Sequence, residues 1–374
     1  MVLSERIPDE LMMNIFSRLP VHNLAPFRFL NKSWLFLITD DPAFKALYFD
    51  MHSSDSNSRY IISIPNVFVT EARLCTAIFR YPNLVMATVP CPIPFRTPTD
   101  YYNLLCSCNG LLCMSDSPMN TKFIDSLYLW NPSVRNFKIL IPSYTPLGNK
   151  KLMITTHGIG PDHRDHDLLV IRIIYHAESQ RRPHTEVYSL NNNSWSSVSE
   201  SVVVPCLAFD EPTAFVNGAI HWKALSFTST RPLIMYFNTA KRVFGEIRLP
   251  VNCFDPRIIR AHSTVALFKG LLALIVITRI NHTLSTKICD IWIMNEYGVV
   301  ESWTKRFAIP ISFTWFDRAF GITKNNQLLL NLDGMLFSYD LDRLQYRILG
   351  FHGVQGSFDV DSLTESLYLI ETRE

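Results

Sequence analysis

Six side chains able to hold a metal ion crowd the stretch His157 to Asp167: His157, Asp162, His163, Asp165, His166 and Asp167. Imidazole and carboxylate ligands suit zinc or a harder divalent ion, provided that they converge on one point with a defensible spacing. This spacing matches no such site, and the stretch sits where a polar turn is needed before the apolar run Leu168 to Ile174, so a turn is the favoured reading. Cys106, Cys108 and Cys113 would supply three sulfur ligands, but they flank Asn109-Gly110, and cysteines alternating about such a turn pack on hairpin faces as small hydrophobes. His221 beside Trp222 has the chemistry of a general base. It has no serine or cysteine nucleophile motif, glycine-rich phosphate loop or His-Glu-x-x-His to work with, so packing is favoured there too. No catalytic, cofactor or metal residue is assigned, and a chain that binds rather than catalyses is expected.

The totals narrow the classes further. Of 374 residues 48% are hydrophobic and only 18% charged, a composition that can offset its ordering entropy by burial. Lysine and arginine number 35 against 33 acidic residues, without a long basic run, so nucleic acid is not an expected partner. Glu5, Arg6 and Asp9 interrupt the apolar core that a signal peptide would need, which implies the cytoplasm or nucleus and reduced thiols for the eight cysteines. The longest apolar run, Gly270 to Thr278, is about half of the ~20 residues that span a bilayer as a helix, so it reads as a buried strand and no membrane partner is expected.

Two styles of sequence follow each other. Pro8 suits a first helical turn, with Asp9 and Glu10 at the positive end of the dipole, and Leu11, Ile15 and Leu19 recur at spacing four until Pro20. The expected helices are therefore one over Pro8–Arg18, a second capped by Asn23 with Pro26 in its first turn, and a third opened by Asn31. Residues 1–49 form this small all-α module of three short helices, 50–58 read as a polar linker, and 59–374 are rich in short strands. The apolar surface of so small a module needs a cover, either the downstream domain or a partner.

In the long region one unit recurs five times: an aromatic or Met, then Asn or Asp three residues on, then a second aromatic. The copies are Tyr128/Asn131/Phe137, Tyr188/Asn191/Trp195, Met235/Asn238/Phe244, Trp292/Asn295/Trp303 and Phe337/Asp340/Tyr346, with spacings of 45 to 60 residues. Each reads as a strand, a turn and a return strand whose aromatic packs near the first. Asn109-Gly110, Asn217-Gly218 and Lys269-Gly270 mark further hairpins upstream. Four strands per repeat of about fifty residues imply a β-propeller of about six blades. One blade would be closed by Tyr60–Val69, Leu84–Val89 and the tail Ser366–Ile370, with a β-sandwich as the alternative.

The order "IPDEL...IFSRLPV..L..FR...KSW..LI" followed by "DDPAF" resembles the F-box, through Ile7, Pro8, Leu11, Ile15, Leu19, Pro20, Leu24, Phe27, Lys32, Trp34, Leu37 and Ile38. The chain departs from that pattern at Asn14, Phe16 and Leu30-Asn31. The segments "CSCNGLLCM", "LYLWNPSVRNFKIL", "EVYSLNNNSW", "FVNGAIHW" and "IMYFNTAKRVFGEIRLP" resemble the F-box-associated, kelch-related domain of a large plant family, with "GIGPDHRDHDLLV" the divergent loop. The resemblance implies the substrate-recognition subunit of an SCF-type cullin-RING ubiquitin ligase. Its F-box would dock a Skp-type adaptor, and through it cullin and RING subunits, by way of Ile7, Pro8, Leu11, Ile15, Leu19, Pro20, Leu24, Phe27 and Trp34. The β domain would bind a target whose contact residues are not legible. A scaffold protein with a degenerate F-box is the alternative; a propeller copper oxidase would need Tyr, His and Cys converging, and fold likeness does not transfer activity.

Overall fold

The computed structural model describes residues 8–54, 59–65, 77–80, 88–99, 101–116, 126–144, 153–176, 183–199, 206–208, 213–226, 232–250, 253, 262–279, 287–311, 316–352 and 358–369. The N-terminal module holds four α-helices, α1 (Asp9–Phe16), α2 (Val21–Leu24), α3 (Lys32–Thr39) and α4 (Pro42–Ser54), with a 3-10 turn over Ala25–Phe29. Asn31 caps α3 as expected, its Oδ1 accepting from Ser33 N at 2.8 Å. Asn23 caps nothing: α2 starts at Val21 behind Pro20, and Pro26 lies in the 3-10 turn instead. The unexpected α4 has an ordinary cause, since Asp41 Oδ1 accepts from Ala43 N and Phe44 N at 2.9 and 3.1 Å and Pro42 occupies the first turn. This helix runs to Ser54, five residues into the segment read as linker.

The strands come in groups of four. β1 (Arg59–Pro65), β2 (Ala77–Arg80) and β3 (Thr88–Pro90) begin the chain's β region. Blade 1 is β4 (Asn103–Cys108), β5 (Leu111–Ser115), β6 (Leu127–Asn131) and β7 (Asn136–Leu140); blade 2 is β8 (Met153–Asp162), β9 (Asp167–His176), β10 (His184–Ser189) and β11 (Ser194–Ser197). In blade 3 the inner position is shared by β12 (Cys206–Ala208) and β13 (Ala214–Val216), both paired with β14 (Ala219–Ser226), ahead of β15 (Pro232–Asn238) and β16 (Val243–Arg248). Blade 4 is β17 (His262–Phe268), β18 (Leu271–Arg279), β19 (Lys287–Met294) and β20 (Trp303–Ile311). Blade 5 is β21 (Phe316–Ile322), β22 (Gln327–Leu332), β23 (Met335–Asp340) and β24 (Gln345–His352), and β25 (Phe358–Thr364) then pairs with β1 to complete blade 6 in the order β25-β1-β2-β3. All pairings are antiparallel.

Burial shows why the sheets form a ring and not a sandwich. On β18, Ala273, Ile275 and Ile277 pack toward blade 5, whereas Leu272, Leu274 and Val276 pack toward blade 3. Successive residues of a strand face opposite sides, so a strand covered on both sides must be continuously apolar, which explains the run Gly270 to Thr278. The same holds around the molecule: separate cores lie between blades 1 and 2, 2 and 3, 3 and 4, 4 and 5, 5 and 6, and 6 and 1. Two packed sheets would share one core. The strands nearest the axis also follow one another in contact: β4 to β8, β8 to β14 of blade 3, β13 and β14 to β17, β17 to β21, β21 to β25 and β25 back to β4.

The recurrent sequence unit is the outer hairpin of each of the first five blades. Asn131, Asn238 and Asp340 accept from backbone N–H groups two or three residues ahead, the Asx turn that the pattern implied. Arg135, Arg242 and Leu344, four residues on, then take positive φ and aim the return strand. Tyr188 packs on Trp195 with centroids 5.3 Å apart, as the spacing suggests. Phe244 and Tyr346 instead meet Phe237 and Tyr339, the residues directly opposite them in register. Closure differs from expectation: β2 joins the closing blade, β25 is the closing strand with Ser366 to Leu369 beyond it, and residues 66–69, 84–87 and 370 lie outside the described residues.

Candidate docking surfaces

Helix α1 divides its apolar residues between two neighbouring stripes. Met12 and Phe16 point inward, Phe16 with its ring centroid 5.1 Å from Phe27 and 5.3 Å, edge-on, from Trp34. One position earlier in each turn, Leu11 and Ile15 remain 56% and 46% exposed, and Pro8 is exposed beside them. Leu19, Pro20, Phe27 and Trp34 are half-buried, able to support an incoming surface at their edges. Leu24 is fully buried in the module's own core with Ile38, Phe44 and Tyr48, so it holds the surface up and forms no part of it. Ile7 lies outside the described residues. Phe29, Leu30 and Phe36 are 64%, 71% and 61% exposed; motif matching marked Leu30 only as a departure and did not single out the other two, although the apolar pair Phe29-Leu30 at the end of a helical turn was the available signal.

The other side of the module is locked to the propeller by the segment after β25. Leu367 is fully buried in the helical core, and Val134 of blade 1 packs against the same cluster. Glu365 Oε2 accepts from Val21 N at 3.1 Å, and the Tyr48 hydroxyl donates to Leu19 O at 2.7 Å. Burial, with the Glu365 charge adding, pushes the Tyr48 hydroxyl pKa far up, so it stays a donor at all ordinary pH. The segment is fastened to blade 1 in turn: Asn131 Nδ2 donates to Ser366 O at 3.0 Å and to Tyr368 O at 2.7 Å, and Asn136 Nδ2 to Leu369 O at 2.9 Å. One face of the helical packet is thus covered by the propeller and the segment after β25, and the stripe of Leu11 and Ile15 faces outward.

This junction fixes which end of the propeller is free. The first and third hairpins of each blade turn at one end, the end that carries Asn109-Gly110 and Val134, and there the module sits. Asn109, Asn217 and Lys269 have φ near +50° and the glycines after them +72° to +83°, a tight turn that keeps this end compact. The strand ends that flank the connections between blades, at Leu140 and Met153, Ser197 and Cys206, and Arg248 and His262, lie at the opposite end.

The chemically suggestive residues have structural duties. Asp162 and Asp167 bracket the first hairpin turn of blade 2, with His163, Arg164, Asp165 and His166 exposed on it. Asp167 accepts from Ser189 Oγ, Leu168 N and Asn191 N at 2.5, 2.7 and 3.0 Å, while Asp162 faces Arg164 and Arg242 at 3.6 Å each. His157 is buried on β8, its carbonyl accepting from Trp222 Nε1 at 2.7 Å. Cys106 and Cys113 lie opposite each other across β4 and β5, and burial pushes the Cys108 thiol up to about 12. His221 is enclosed between Ala214 O at 3.2 Å and the Tyr297 hydroxyl at 2.8 Å, and burial lowers its pKa to about 4, so it is neutral at pH 7. Among the described residues no three His, Cys, Asp or Glu side chains gather as a metal site, and no helix is long and apolar enough to cross a membrane.

Comparison with known proteins agrees with this division. Residues 4–45 match the F-box domain family and residues 67–366 the F-box associated beta propeller domain family. An F-box/kelch-repeat protein of Arabidopsis thaliana is 25% identical over 94% of this chain and 93% of its own length, and a second Arabidopsis F-box protein is 24% identical over 95% and 89%. A bifunctional GH43-CE protein of Bacteroides eggerthii aligns over 72% of this chain and 36% of its own at a TM-score of 0.41 and 12% identity, a likeness that carries no argument.

Proposed function

Because this chain belongs to the family of F-box proteins with an F-box associated β-propeller domain, we propose that it is the target-binding subunit of an SCF-type cullin-RING ubiquitin ligase, acting in the cytoplasm or nucleus. The observation that carries the reading is the outward stripe of α1. Leu11 and Ile15 stand exposed on a helix whose neighbouring stripe is fully committed to the core, which is the arrangement of a surface awaiting a partner. A Skp-type adaptor covering them links the chain to cullin and RING subunits. The chain itself makes and breaks no bond; it raises the effective concentration of a bound target near ubiquitin carried by its partners.

The target docks at the propeller end opposite the F-box, where the rigid blade strands deliver the ends of the inter-blade connections. The buried junction at Leu367 and Glu365 keeps that end at a fixed orientation to the adaptor. The test is co-purification of the tagged full chain with a Skp-type adaptor, with Leu11→Asp/Ile15→Asp alongside. Retention by the unmodified chain alone supports the reading. If neither chain retains the adaptor, the F-box is degenerate and the protein is a free-standing binder.

A further inference from the structure

A cavity of about 320 Å³ lies between the inner strands, walled by β4, β13, β17, β21 and β25. Phe49 of α4 lines one end, with Lys324 Nζ 5.3 Å from its ring centroid. The other end, with Leu104, Arg318 and Asp359, belongs to the face left free by the F-box. Such a volume exceeds by about tenfold the ~30 Å³ share of one water, so it has room for a ligand group of side-chain size.

Two carboxylates, Asp359 and Asp361, stand two residues apart on β25 and share its channel side. Their circumstances differ. Asp359 is nearly buried and fully matched, Oδ1 accepting from Arg318 Nη1 in an ion pair and Oδ2 from Leu104 N at 3.2 Å. Asp361 accepts from Ser107 Oγ and, at 2.6 Å, from Ser362 N, and no basic side chain among the described residues forms an ion pair with it. It is half-buried on the cavity wall, and burial, with Asp359 adding, raises its carboxyl to about 6 in spite of both hydrogen bonds. At pH 7 it is therefore mostly ionised, half-buried and without an ion-pair partner among the described residues, a cost that a bound cation would offset.

The chemistry of the cavity selects its occupant. Of the two basic side chains on the wall, Arg318 pairs with Asp359 and Lys324 lies by Phe49 at the F-box end, so at the Asp361 side an anion would meet a negative charge and a neutral ligand would leave that charge unmatched. A divalent ion would find too few ligands, because one carboxylate and one hydroxyl do not complete a coordination sphere. The remaining wall includes Ala214, Ala266 and Phe320, apolar surface suited to an alkyl shaft. We propose that the central channel receives one organic cation, an alkyl-guanidinium or alkyl-ammonium group, whose head is held by Asp361. It enters from the end opposite Phe49. Its source is either an arginine or lysine side chain of a bound target or a free amine. The site goes beyond the ligase reading and does not rest on it.

Calorimetric titration of the full chain tests this with three probes: agmatine, the capped tripeptide Ala-Arg-Ala, and the same tripeptide with neutral citrulline in place of arginine. At least one cationic probe is expected to bind, the citrulline peptide at least tenfold more weakly than its arginine counterpart, and Asp361→Asn to weaken cation binding at least tenfold. Binding of agmatine alone identifies a free amine, and tighter binding of the arginine peptide identifies a target side chain. The proposal is overturned if neither cation binds, if an arginine peptide that binds is matched by its citrulline counterpart, or if Asp361→Asn leaves binding of the cation unchanged. The citrulline comparison is made on the unmodified chain, so a variant that misfolds does not remove the test. Adaptor retention, measured separately, fails or holds independently of the channel.

Discussion

Replacing both outward residues of α1, as Leu11→Ala/Ile15→Ala, isolates the adaptor surface from the fold. Full burial of such a side chain is worth about 1.5–3 kcal/mol, and Leu11 and Ile15 still expose 56% and 46% of their surface. An adaptor that covers what remains therefore gains roughly 0.8–1.5 kcal/mol from each, or about 1.5–3 kcal/mol together. At about 1.4 kcal/mol per factor of ten, the double variant should bind the adaptor roughly 10- to 100-fold more weakly. Biolayer interferometry with immobilised adaptor gives the affinity, and a thermal melt of the same sample shows whether the fold is intact. Exposed positions outside the core typically shift stability by only about 0.5 kcal/mol, so the melt should barely move. Affinity within threefold of the unmodified chain would refute the assignment of this stripe. A large fall in melting temperature would mean that the stripe is core after all.

Phe16→Ala, by contrast, removes a ring buried against Phe27 and Trp34 and should destabilise the helical module by about 3–5 kcal/mol, seen as a lower midpoint in urea. Gly110→Ala and Gly270→Ala form a matched pair, both at positive φ, but a Cβ at Gly110 would stand 2.5 Å from Thr364 O whereas one at Gly270 meets nothing within 4 Å. Both pay the left-handed penalty of about 1–2 kcal/mol, but only the first should also loosen the 364–369 segment, read as faster amide exchange there. Asp361→Asn should raise the melting temperature at pH 7–8. A carboxyl raised to about 6 stabilises the folded state fully below its unfolded pKa of about 3.9 and loses that contribution as pH rises through 6. The variant's advantage should therefore be on the order of 3 kcal/mol near neutrality and vanish below about pH 4. An advantage that persists unchanged at pH 4 would show that packing, and not charge, is responsible.

The local elements were legible because each is set by a few adjacent residues. Asn109-Gly110 turns where its φ values allow, Asn131 and Asp340 start Asx turns, and Asn31 caps α3, whatever lies elsewhere in the chain. The fivefold repetition of such hairpins was enough to imply a propeller. Helix α4 was legible too, from Asp41 and Pro42, and was missed because its weakly amphipathic run leads into polar residues that resemble a linker. Sequence by itself thus determined the two modules, their secondary structure and the presence of a docking motif. Only the tertiary structure decided which apolar residues of that motif are surface, for periodicity makes Leu11 and Met12 equally apolar and burial alone separates them. Leu24, Leu11 and Ile15 share one motif, yet Leu24 lies inside a core completed by Leu367, more than three hundred residues away, and Leu11 and Ile15 lie outside it. Asp361 acquires its isolation in the same way, because the strands that enclose it and the arginine that passes it over for Asp359 come from distant blades.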